Sequence, residues 1–325
     1  MPGDHGYFPP GSVLRKVQRE RAVGLLYGQR ALAIGAIDPR SFVGTLAHTR
    51  APERPFHRLV ATGKMFEEIF FGSRADADRV LAAVHRMHAT VEGELPEDAG
   101  TMAAGTPYAA LDSELMLWTI AVSADSALYF YELFIRPLPE AERNLLWADY
   151  VRFGELFGMD SRVAPGSWAE FKEYFDAKVA GPDAYLTDDA RQVGRAVLLR
   201  IPVARSRWPA MRIHNVVVRG SLPARIRELY GLRFTAADAT SFRAAVMAAR
   251  AGRAVTPRSA LRGRCTAYFD DVAAAERALI KAGRESPGAV GSAQAHGGRE
   301  HGADQEEGRE RLATALAEPM SQPGA

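Results

Sequence analysis

The chain has one cysteine, Cys265, in 325 residues. That excludes an intramolecular disulfide and a cysteine-rich metal site, and it fits a reducing cytoplasm. Apolar runs long enough to span a membrane, about 18 residues or more, are also missing. The longest candidate, Leu115 to Phe134, is interrupted by Ser123, Asp125, Ser126 and Glu132. No apolar stretch follows the charges of the N-terminal MPGDHGYFPPGSVLRKVQRER, so no signal peptide is expected and the expectation is a soluble, cytoplasmic protein. An excess of one charge is lacking too. The 41 basic and 39 acidic residues leave a net +2, which provides no general footprint for nucleic acid. Basic residues do cluster between Arg191 and Arg264, but they alternate with apolar residues and prolines and read as the solvated rims of helices.

Two further patterns are absent. Gly24, Gly28 and Gly35 follow neither a phosphate-loop nor a dinucleotide spacing, and no β-branched strand precedes them. They permit close backbone approach instead. Strand alternation is confined to a few residues, with His214 to Val218 the best candidate.

What is present is helical periodicity. Asp38 before Pro39, Asp112 or Ser113, Ser167 and Thr235 each stand where a helix N-cap is needed, and Arg207-Trp208-Pro209 reads as a break. The stretch Leu115–Ile135 is apolar on all sides, as a central helix is. Its internal Asp125 requires a partner. The expected fold is all-α, a single large bundle of about ten helices, globin-like in its class of architecture. Residues 1–19 are expected to form a flexible segment, 20–284 the helical domain, and 285–325, poor in large apolar groups, a disordered tail.

Chemistry concentrates between Arg58 and Gly93. On a helical wheel Leu81, Val84, His88 and Val91 share one sector, with His85 at its edge. An imidazole on an apolar stripe needs a partner for each ring nitrogen, and a backbone carbonyl or a metal serves. Arg58 and Thr62, four apart, share a face on the preceding helix. A guanidinium fork beside a hydroxyl suits a carboxylate such as a haem propionate.

The serial order of RALAIGAIDP, RLVAT, FEEIFFG, VHRMHATVEG, GTPYAALDSELMLWTIAVSADSALYFYELF, LPEAERNLLWADYVRFGELFGM and LPARIRELYGLRF resembles the oxygenase mpaB and latex-clearing-protein (rubber oxygenase) catalytic-domain family over residues 20–255. The resemblance implies a helical catalytic domain that holds haem b and activates dioxygen. It implies His88 as the iron ligand, within a His-x-x-Val-x-Gly element completed by Val91 and Gly93. Arg58 and Thr62 match an Arg-x-x-x-Thr pair beside the cofactor, and His85 and Trp118 are further cofactor-binding candidates. Ala61 stands where the rubber oxygenases have a lysine, Asp38 where many relatives have His-Pro, and Ile120 where they have Trp-Val-His. With Ala61 the sixth iron position is expected to be open or to hold water.

The expected function is a haem-dependent oxygenase, with Met65, Phe66, Phe70, Trp118 and Phe130 as apolar walls around a hydrophobic, isoprenoid or alkene-like substrate. Other haem oxidoreductase chemistry is one alternative. The other is a haem-free family member that binds a lipid or a partner.

Overall fold

Many of the helices begin where a side chain can close them. In the computed structural model, which describes residues 4–49 and 51–290, Ser12 caps α1 (Val13–Gln18), followed by α2 (Arg21–Gly24) and α3 (Tyr27–Gly35). Asp38 caps α4 (Pro39–Ala47), with Pro39 in the first turn, where its missing N–H costs nothing. After α5 (Pro55–Phe71), Ser73 caps α6 (Arg74–His88). A small antiparallel hairpin, β1 (Glu92–Glu94) with β2 (Pro107–Ala109), pairs Gly93 with Tyr108. Asp112 caps α7 (Ser113–Phe134). α8 (Glu140–Leu156) stops before Gly158, which takes a φ of +97°. Ser167 caps α9 (Trp168–Ala180) and Thr187 caps α10 (Asp188–Leu199). After α11 (Trp208–Ser221) and α12 (Ala224–Leu229), Thr235 and Asp238 form a capping box on α13 (Ala236–Val255). α14 (Arg258–Leu261) and α15 (Thr266–Lys281) complete the described helices. The all-α class holds, and the described count exceeds ten because the short helices α1, α2, α12 and α14 add to eleven longer ones.

α7 is the axis of the core. It packs against α3, α8, α2, α9 and α13, and its face toward α3 meets small residues, with Gly35 against Val122. Asp125 is paired as a buried carboxylate must be. Arg30 donates to it at 2.7 Å and also reaches Ser126 Oγ and the Ser221 carbonyl, while its guanidinium lies over the Tyr129 ring. A second, smaller core of Phe56, Val60, Ile201, Val272 and Ala273 joins α5 to α15.

Several expectations are corrected. His214–Val218 is not a strand but the middle of α11, because Val217 and Val218 bury against the main core and tertiary packing outweighs β-propensity. Arg207-Trp208-Pro209 starts that helix instead of breaking it, since proline fits its first turn. The β1–β2 hairpin is too short to show any alternation. Residues assigned to the N-terminal segment are seated: Phe8, Leu14 and Val17 are buried. At the other end Ser286 and Val290 are buried as well, and residues 291–325 lie outside the described residues.

Candidate functional site

α5 and α6 form a helical hairpin about Gly72 and Ser73. A side chain at Gly72 would collide with the Glu68 carbonyl, and Ser73 Oγ accepts from the Asp76 N–H at 3.1 Å to start α6. Arg58 lies fourteen residues before Gly72 and His88 fifteen after Ser73, so each stands about four helical turns from the connection.

His88 ends α6 below a stripe of buried Val80, Leu81 and Val84. Its Nδ1 is buried and has no hydrogen-bond partner among the described residues. Burial, with a further push from His85, lowers its pKa to about 4, so at neutral pH the ring is uncharged and keeps a lone pair. The Phe157 ring lies 6.4 Å away. His85 is differently placed: it is exposed, and its Nε2 contacts the Leu156 carbonyl at 3.0 Å.

Phe157 links His88 to an aromatic group. Its ring is 6.3 Å from Phe66 and 5.0 Å from Phe153, and Phe66 and Phe70 both pack on Phe153. Two expected wall residues, Phe66 and Phe70, therefore stand in one cluster with the His88 neighbour. Phe153 and Phe157 are additions; their only sequence signal is an i,i+4 spacing at the end of α8, which Phe157 caps. Trp118 and Phe130 belong elsewhere. Trp118 is fully buried, donates from Nε1 to the Gly35 carbonyl at 3.0 Å, and packs on Tyr174 and Phe175. Phe130 stacks on Phe134.

Arg58 reaches the end of α4. Its Nη1 donates to the Thr45 carbonyl at 3.2 Å and to Thr49 Oγ1, where the negative end of that helix suits a cation. Thr62, one turn further along α5, is exposed. α4 also holds the hairpin that follows His88: Tyr108 wedges between Gly44 and Gly93, each of which would clash with its ring if it carried a Cβ. His48 at the α4 end contacts the Glu92 carbonyl at 3.2 Å. Gly93 of the His-x-x-Val-x-Gly element thus has a steric role. α4 ties both Arg58 and the segment after His88 to one framework, which the sequence does not reveal.

The position of Asp38 is closed by ions. Burial acts to raise its pKa, but Arg40 and Lys178 overcome this and hold the carboxyl below its usual range. Lys178 in turn lies over the Trp118 ring at 5.0 Å. Among the described residues no group of three or more His, Cys, Asp or Glu side chains is arranged to hold a metal ion. No helix among them is long and apolar enough to cross a membrane.

A family model described as "ER-bound oxygenase mpaB/B'/Rubber oxygenase, catalytic domain" matches residues 15–251. No curated protein and no solved structure matches.

Proposed function

The chain belongs to the mpaB/rubber oxygenase catalytic-domain family, and on that premise we propose that it is a haem b-dependent oxygenase acting with dioxygen on a hydrophobic, isoprenoid or alkene-like substrate. The observation that carries this reading is the buried, unpartnered Nδ1 of His88. Leaving a buried polar atom unpaired costs about 1–3 kcal/mol, and such an atom in a native fold calls for a ligand, an ion or water.

Two residues support the group. His88, uncharged at neutral pH, has the lone pair an iron ligand needs. Arg58, tied through the end of α4 to the framework that holds the segment after His88, brings a positive charge suited to propionates, and Thr62 a hydroxyl on the same helix. When bound, the haem supplies the dioxygen chemistry. The chain's own part is to orient and to exclude water: Phe66, Phe70, Phe153 and Phe157 provide an apolar flank on which an alkene-like substrate can rest.

The visible spectrum of the purified protein, loaded with haem and reduced under carbon monoxide, tests this. A Soret band that is lost in His88→Ala is the expected result. A full Soret band in that variant defeats the ligand assignment, and a colourless wild-type protein defeats the haem reading. In the latter case the chain is a haem-free family member that binds a lipid or a partner. That second reading draws on Asp38, locked to Arg40 and Lys178, and on buried Ile120, both at positions where relatives carry histidine.

A further inference from the structure

Between Arg191 and Arg264 the chain carries sixteen arginines, no lysine and only two acids, Glu228 and Asp238. A stretch of net charge +14 thus sits inside a chain whose total is +2. Part of this charge is matched, for example Arg207 by Asp271 and Arg219 by Asp238. Arg205 and Arg212 have no carboxylate partner among the described residues, and Arg205 lies over the Trp208 ring.

The same region exposes large apolar side chains. Trp208 is 57% exposed, Ile213 58%, Met247 70% and Val255 85%. The first two stand at the start of α11, and the last two in the second half of α13. α11 and α13 pack together. Arg219 reaches Asp238, and Gly220 lies directly against the Phe242 ring, which joins the end of α11 to the start of α13. The helices therefore run antiparallel, so the exposed apolar groups lie toward the opposite half of the pair, where Arg205 and Arg212 neighbour Trp208 and Ile213 in the chain.

We propose that this end of the α11–α13 pair docks on an anionic lipid bilayer. Nucleic acid would satisfy the arginines but leave the apolar groups in water. A bilayer interface takes both: lipid phosphates meet Arg205 and Arg212, while the Trp208 ring and the Ile213 side chain enter the headgroup boundary, where an indole is best accommodated. The attachment is peripheral and needs no spanning helix. It stands independently of the haem reading.

Trp208 provides its own reporter. The other three tryptophans, Trp118, Trp147 and Trp168, are buried, so a blue shift of emission on adding vesicles comes from position 208. The full chain is co-sedimented with phosphatidylcholine vesicles and with vesicles that also contain phosphatidylglycerol. Binding to the second kind alone, with a blue shift, is expected. It should weaken about tenfold or more in Trp208→Ser and in Arg205→Glu/Arg212→Glu, while Leu145→Ser, an exposed apolar site on α8, behaves as wild type. Circular dichroism confirms that each variant is folded. Absence of binding to phosphatidylglycerol vesicles overturns the proposal, as does binding that neither variant weakens. So does preferential binding to duplex DNA that only the charge reversal abolishes.

Discussion

Glu67 and Glu276 each close the N-terminus of the helix that carries the other. Glu276, on α15, accepts from the Phe56 and His57 N–H groups at 3.1 and 2.6 Å and from Ser286 Oγ at 2.6 Å. Glu67, on α5, accepts from the Cys265 N–H at 2.5 Å and from Thr266 Oγ1 at 2.9 Å. Neither helix has a capping side chain of its own, so each depends on the other for groups that would otherwise be unpaired. The helix that carries Arg58 and Thr62 is thereby anchored by one that begins at residue 266, beyond the family match at 15–251.

Glu276→Ala should therefore be among the costlier single substitutions. It strands two N–H groups and a hydroxyl beside a carboxyl site only 1% exposed, a loss of about 2–4 kcal/mol in urea unfolding. Glu67→Ala should cost about 1–2 kcal/mol. The double variant should fall short of the sum, because both loosen one seam. Strict additivity would show the two caps to be independent.

The Arg30–Asp125 pair makes a second stability prediction. Asp125→Ala leaves a guanidinium buried without its counter-charge and should cost about 3–5 kcal/mol. Adding Arg30→Met should recover much of that loss, since an apolar pair avoids the desolvation penalty. A double variant no more stable than Asp125→Ala would mean that Arg30 acts chiefly through Ser221 and Tyr129.

His88 predicts a pH dependence in the haem-free protein. Its folded pKa is about 4, against 6.5 unperturbed. Between those values the unfolded chain takes up a proton that the folded chain refuses, so stability is complete above the unfolded pKa and falls as the pH drops through the window. The contribution is at most about 3 kcal/mol. Burial lowers His214 as well, which adds a slope of the same sign, so the measurement is a difference: His88→Gln should have a shallower acid loss of urea midpoint than wild type. Equal slopes would refute the burial of this ring.

Arg58 has a structural role that can be separated from the one proposed for it. Through Thr45 and Thr49 it holds the end of α4, and Arg58→Ala should lower haem-free stability by about 1–2 kcal/mol. If it also meets a propionate, haem titration of the same variant should show about tenfold weaker uptake. Unchanged uptake with lowered stability would leave Arg58 as a clasp between α4 and α5.

The caps expected at Asp38, Asp112, Ser167 and Thr235 stand in the structure as hydrogen bonds from each side chain to the following turn. Such signals act over three or four residues. The His88 stripe was legible for the same reason, since a 3.6-residue repeat is a property of consecutive residues.

What the sequence determined by itself is the helical class, the starts of most long helices, a central α7, and the apolar stripe of α6 on which His88 stands. Only tertiary structure decided that Trp118 belongs to the α9 side of the core, that Phe153 and Phe157 join the His88 neighbourhood, that α5 and α15 cap one another, and that α11 and α13 pack as an antiparallel pair. Those relations join residues tens to hundreds of positions apart. They depend on which faces pack, and a local periodicity that names a buried face says nothing about what lies against it.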